Sequence, residues 1–252
     1  MADFLGDPSF PNKAMRVKSR ALKIAYFQGL YKQYSRLDFT RYADRPIAIA
    51  GLEKRLQAAF NTRGRYGIFD DGDKTDNGLF HRSLLWQREQ DGELLEAIKF
   101  PVERNMHVPS WSWMAYKGGI DYTDPPYQSA IWETRELLPP WTRGGYGDPN
   151  IVDEDVALAA VARDFSLAGR KQDEVKVAYD TERGSETKKV QCVIVARSIE
   201  GMNIEKRFYV LLVIPTEGET EEGHKKYKRV GAGFMLGKYI TLDKAGVEVR
   251  IF

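Results

Sequence analysis

Val108-Pro109-Ser110-Trp111-Ser112-Trp113 is the stretch on which the reading of this chain turns. Read as an extended strand running on to Tyr116, it points both tryptophans one way and both serines the other, because successive strand side chains alternate. Gly118-Gly119 ends the strand, and Leu84-Leu85-Trp86 lies upstream as a second apolar segment. Trp86, Trp111, Trp113, Tyr116, Tyr122, Trp132 and Trp141 all fall between positions 86 and 141, making this the aromatic centre of the chain.

Upstream, residues 12 to 34 read as a helix, with Val17, Ala21, Ile24, Phe27, Tyr31 and Tyr34 at three-to-four-residue spacing. A second helix is expected from about 46 to 60. Asp44 can cap it, Pro46 suits its first turn, and Ile49, Leu52, Leu56 and Phe60 form its apolar face. Residues 70 to 78 form a polar loop, and a short helix over 78 to 88 ends in Leu84-Leu85-Trp86. Downstream, a long irregular connection punctuated by Pro125-Pro126, Pro139-Pro140 and Arg143 to Pro149 leads to about residue 155. From there the apolar period becomes two. Strands are expected at Ala157–Leu167, Val175–Tyr179, Val190–Ala196, Phe208–Ile214, Val230–Met235 and Val247–Phe252. The fold expected is α+β: N-terminal helices, about 12 to 62, packed on an antiparallel β-rich sheet or barrel-like remainder. All 252 residues are read as one domain, with a mixed part over 63–150 and a β-rich part over 155–252.

One succession of motifs is specific. Tyr34-Ser35-Arg36 is followed by Asp44-Arg45-Pro46 with Ala48-Ile49-Ala50-Gly51-Leu52, then Tyr66-Gly67-Ile68, Gly78-Leu79, Leu84-Leu85-Trp86 and Pro109-Ser110-Trp111-Ser112-Trp113. It resembles the carboxy-terminal half of fungal heterokaryon-incompatibility (HET) proteins, closely over residues 30 to 125 and loosely over 155 to 252. Tyr227-Lys228-Arg229-Val230-Gly231-Ala232-Gly233-Phe234 is similar to that family's last recurring element. HET proteins carry a TIR-like signalling region upstream of the Tyr-Ser-Arg element; here only about thirty residues precede Tyr34, too few for such a domain. The resemblance implies a stand-alone half.

Composition narrows the classes. Apolar residues at 42%, charged residues at 29% and a net charge of +2 describe an ordinary globular chain with no pull toward nucleic acid or membrane. No apolar run approaches a membrane span, the N-terminus does not read as a signal peptide, and a single cysteine, Cys192, excludes a disulfide framework. Cys192 sits in an apolar strand pattern as a small buried hydrophobe, and a cytoplasmic location is expected.

Standard chemical motifs are missing. His81, His107 and His224 are dispersed, so no zinc site is expected. Asp71, Asp73 and Asp76 fail the calcium-loop pattern, which needs Gly and Glu where Asp76 and Arg82 stand. Gly231, Gly233 and Gly237 fail the dinucleotide spacing and read as small residues that let a strand bend. Ser110 and Ser112 have no identifiable base. The Glu217 to Arg229 segment reads as a solvated, charge-segregated hairpin loop. Interleaved aromatic and basic residues over 26 to 45 suit ordinary packing better than a single-strand nucleic-acid surface. No cofactor and no metal are expected.

The aromatic centre remains, as core or as pocket. As a pocket it has Trp86, Trp111, Trp113, Tyr116, Tyr122 and Arg82 contacting a hydrophobic small-molecule substrate, with Arg104 and His107 as catalytic hydrogen-bond donors. A shaped apolar cavity with one or two donors suffices for a cofactor-free cyclisation, since orientation alone can remove several kcal/mol of barrier and a donor aimed at developing charge roughly 2–4 kcal/mol more. Together with the resemblance to the HET family, in which a stand-alone protein is linked with a Diels–Alder step toward the sordarin skeleton, this gives the expectation of a cyclase or Diels–Alderase of terpenoid secondary metabolism. The alternative is a HET-related interaction module in non-self recognition or cell-death signalling, dependent on a protein partner.

Overall fold

The computed structural model describes residues 20–70, 78–89, 93–104, 106–141, 156–182, 189–202 and 204–252. Residues 12–19 of the expected first helix, the Asp71, Asp73 and Asp76 loop and the Arg143–Pro149 connection lie outside them.

Two helices form where the three-to-four spacing places them. Helix α1 (Arg20–Ser35) buries Ile24, Phe27, Leu30, Tyr31 and Tyr34, so the aromatic residues of this basic segment face inward as a core. Helix α2 (Arg45–Phe60) buries Ile49, Leu52 and Leu56, and ends at Asn61 in the left-handed conformation, whose N–H returns to Gln57 O. Asp44 does not cap α2 through its side chain; it closes a 3-10 turn, Tyr42–Asp44, that leads directly into the helix. Strands β1 (Arg63–Arg65) and β2 (Ile68–Asp70) form a small hairpin. Helix α3 (Leu79–Leu84) is shorter than expected, and Trp86 begins strand β3 (Trp86–Arg88) rather than ending a helix. Short strands follow: β4 (Glu96–Ala97), β5 (Tyr116–Lys117), β6 (Ile120–Tyr122), β7 (Ala130–Trp132) and β8 (Leu137–Leu138).

The expected period-two region forms the main sheet. Its strands are β9 (Leu158–Arg163), β10 (Val175–Tyr179), β11 (Gln191–Ser198), β12 (Arg207–Glu219), β13 (Lys225–Leu236) and β14 (Val247–Ile251). The ladder β11-β12-β13-β14-β9 returns to β11, closing a five-stranded barrel, with β7, β8 and β10 added at its margins. The structure is therefore a mixed, mostly β fold. The expectation of an antiparallel β-rich sheet or barrel-like remainder needs one correction, because β13 and β14 pair in parallel.

Both faces of β11 and β12 are covered. Tyr209, Leu211 and Val213 enter the cluster shared by all five barrel strands, while Phe208, Val210, Leu212 and Ile214 lie in a second cluster under β10. That is why Phe208–Ile214 reads as an unbroken apolar run rather than an alternation. A register shift leaves Val230 as an extra residue on β13, and beyond it the strand leaves β14 for β10. Gly231 and Gly233 permit this, because a Cβ at either would collide with the backbone of Ala178 or Lys176. Most of the Glu217–Arg229 segment is strand, and Arg229 is wholly buried, not solvated.

Candidate functional site

The motif centre departs most from its sequence reading. Residues 108 to 115 are not a strand. Ser112 N–H donates to Pro109 O at 3.0 Å, and a 3-10 turn, Trp113–Ala115, follows, with the Ser112 hydroxyl accepting from Met114 N–H. Strand geometry begins only at Tyr116. The tryptophans consequently diverge. Trp111 packs in the barrel cluster and donates its indole N–H to Val156 O at 3.0 Å. Trp113 enters the helical cluster against Tyr31 and Tyr34. The expectation that they share one face of a strand is overturned.

The remaining expected site residues distribute in the same way. Trp86 and Tyr116 belong to the helical cluster, Tyr122 packs against it, and Trp86 donates to Trp111 O at 2.8 Å, tying the two cores together. Trp86 and Trp111 are 0% exposed and Trp113 1%, so these rings are closed off from solvent. Ser110 Oγ donates to Phe252 O and Ser112 Oγ to Tyr66 O. Arg82 is buried, ion-paired with Asp124 at 2.5 Å and donating to Pro125 O at 2.8 Å. Burial pushes the Asp124 carboxyl up, and Arg82 opposes that. His107 is exposed on a loop. Arg104 ends the 3-10 turn Val102–Arg104, and its side chain lies outside the described residues. The structure thus packs Trp86, Trp113 and Tyr116 in one core and Trp111 in the other, and does not gather His107 and Arg82 around them.

A buried polar centre that the sequence reading missed holds this region. Arg229 and Asp180 form an ion pair at 3.0 Å, 0% and 1% exposed at the side chain. The guanidinium also donates to Leu84 O and Trp86 O and lies over the Trp86 ring. Asp180 N–H bonds the carbonyl of the bulge residue Val230 at 2.8 Å. Burial raises the Asp180 carboxyl's pKa while Arg229 pulls it back down. A signal existed: along β13, Arg229 is in phase with buried Tyr227, while Lys228 points out.

A cleft lies elsewhere, on the outer side of the barrel. It has a volume of about 310 Å³ and is lined by Ile131, Trp132, Ile194, Phe208 and Leu242, with Glu133, Glu136, Arg163 and Arg197 among its walls. Trp132, a member of the aromatic set, is wedged in place from behind. His81 stacks on it with centroids 5.7 Å apart, the Arg82 guanidinium lies 4.7 Å from its ring centre, and Gly78, at φ +55°, leaves room that a Cβ would fill. His81 Nε2 contacts Glu133 O at 2.6 Å, and burial lowers its pKa to about 4, so it is a neutral donor to that carbonyl. Arg82 therefore supports the cleft from its second layer rather than lining a pocket at Trp111.

Among the described residues no three His, Cys, Asp or Glu side chains are grouped to hold a metal, and no helix is long and apolar enough to cross a membrane. Cys192 is buried as its pattern indicated, and burial pushes its thiol up to about 12. Comparison with protein families, curated proteins and solved structures finds no match to this chain.

Proposed function

We propose that the chain is a HET-related recognition module that acts through a partner protein. The observation that carries this reading is the divergence of Trp111 and Trp113 into two cores. The most specific part of the resemblance is occupied in joining the helices to the barrel. Its serines bond backbone carbonyls, and its rings are closed off from solvent. A cyclase working at Trp111 and Trp113 needs space beside those rings, and each is packed on all sides. Recognition needs only a rigid surface, which a closed barrel supplies.

One observation favours the second reading, a cofactor-free cyclase: the cleft beside Trp132 is of ligand size and has Trp132, Ile194, Phe208 and Leu242 among its lining residues. In that reading the reaction moves from Trp111 to Trp132, and His107 takes no part. Conditional expression in a filamentous fungus separates the two. The chain is expected to arrest growth in pairings with some strains and not others, with no new metabolite in extracts analysed by mass spectrometry. Equal growth in every pairing would sink the recognition reading; a cyclised product formed from a linear precursor by the purified chain would establish the other.

A further inference from the structure

One cation lining the cleft has no ion-pair partner among the described residues. Glu136 holds Arg163 with both oxygens, at 2.6 and 2.9 Å, and Arg163 also donates to Lys244 O. Glu133 is turned on its own loop, its Oε1 accepting from the N–H groups of Arg135 and Glu136. Arg197 is different. It lines the cleft, is exposed, and its side chain donates to no acceptor among the described residues.

A bulge puts Arg197 there. On β11, Ile194 pairs with Val210 and Ala196 with Tyr209, which leaves Val195 as an extra residue. Val193, Val195 and Ala196 all enter the barrel cluster, whereas Cys192 and Ile194 face the outer one. Simple alternation from Ile194 sends Ala196 outward and Arg197 into the barrel; the bulge reverses that phase. Arg197 then stands directly between its cross-strand partners, Ile131 on β7 and Phe208 on β12. Arg197, whose guanidinium has no partner among the described residues, thus stands between an isoleucine and a phenylalanine in a cleft whose Trp132 is backed by His81 and Arg82.

We propose that this cleft binds a small apolar carboxylate, its head group on Arg197 and its hydrocarbon body against Trp132, Ile194 and Phe208. The guanidinium fork takes two carboxylate oxygens at once, which neutral donors do not match. A volume of about 310 Å³ is at the low end for ligand sites and selects a compact body, such as one ring with a short acid chain. Glu136 is neutralised by Arg163 and the Glu133 carboxylate is held by two backbone N–H groups, so Arg197 is the cation in the wall whose donors are taken up by no acceptor among the described residues. This inference stands on the cleft alone and holds whichever functional reading is correct.

The test uses 3-phenylpropionate and its uncharged amide as probes, with binding followed by NMR at the Trp132 indole N–H and the Arg197 amide. The acid is expected to saturate at about 1 mM, a weak affinity suited to so small a ligand, and the amide to bind at least roughly ten-fold more weakly. Arg197→Gln, at an exposed position, should lower the affinity for the acid by a similar factor and leave that for the amide unchanged. Arg41→Gln, an equal change in net charge on the helical side, should alter neither. Equal affinities for acid and amide, an unaffected Arg197→Gln variant, or no saturation by about 10 mM would each overturn the proposal.

Discussion

Glu53 gives the sharpest test of the helical half. It lies on the inward face of α2, 8% exposed, and its Oε1 accepts from Gly67 N–H at 2.6 Å and from the Tyr31 hydroxyl at 3.5 Å. Burial raises its carboxyl from 4.5 to about 7, against the opposing pull of those two hydrogen bonds and of Arg65. The folded protein therefore keeps this proton up to about pH 7, whereas the unfolded chain loses it near 4.5. Between those values the folded state binds more protons, so Glu53 makes stability fall as pH rises. The difference of 7 minus 4.5 is about 2.5 units, which at 1.36 kcal/mol per unit amounts to about 3 kcal/mol. Glu53→Gln keeps the shape and the acceptor oxygen and does not titrate. Urea unfolding of both proteins from pH 4.5 to 8 should show the variant gaining on the wild type by about 1.4 kcal/mol per unit up to pH 7, then levelling. Groups common to both proteins cancel in the difference. A difference that stays constant with pH, or that favours the wild type at pH 8, would refute the burial argument.

His81 and Arg229 provide two more. With its pKa lowered to about 4, His81 should show no imidazole titration by NMR between pH 7.5 and 5.5, and the stability that its neutral form supports should be lost as pH falls from 6.5 towards 4; a midpoint near 6.5 would show the ring to be solvated. Arg229→Met takes from buried Asp180 the cation that holds its charge and from two backbone carbonyls their guanidinium donor. It should cost about 3–5 kcal/mol by denaturant unfolding, and adding Asp180→Asn should recover part of that loss; a cost below about 1 kcal/mol would mean that the pair clamps nothing.

Periodicity made the regular elements legible. Helix α2 has an uninterrupted apolar face, and the strands beyond residue 155 are separated by turns rich in Gly, Glu and Lys, so both appear near their expected positions. The motif centre was misread because two tryptophans two residues apart suggest a strand more strongly than the serines suggest a turn. Yet Ser112 can accept from a backbone N–H two residues on, the local bond that competes with strand pairing, and Pro109 supplies a carbonyl for the turn. In a turn of about three residues, side chains two apart point away from each other, which sends Trp111 and Trp113 into different cores. The cleft was not legible at all. Its wall is gathered from positions between 131 and 242, and the residue that re-phases β11, Val195, is an apolar residue in an apolar run with no glycine to mark it.

Arg45, Arg82 and Arg229, all buried, have a common physical cause in the region between α3 and β7. Strands there are two or three residues long, and much of the chain between them is irregular yet covered by packing. Backbone carbonyls in such a region lack ladder partners and cost free energy if left bare. Arginine answers this with several donors on one planar head. Arg229 serves Leu84 O and Trp86 O, Arg45 serves Ser35 O and Tyr116 O, and Arg82 serves Pro125 O. Each head also lies near an aromatic ring: Trp86 for Arg229, Trp113 for Arg45 and Trp132 for Arg82. A lysine, with one compact ammonium on a flexible stem, cannot bridge two fixed carbonyls and stack on a ring together. The placing of buried arginine heads beside tryptophan rings around the motif is thus a consequence of folding irregular backbone into a core. It explains why so concentrated an aromatic set sits at the join between helices and barrel while the accessible cleft lies elsewhere.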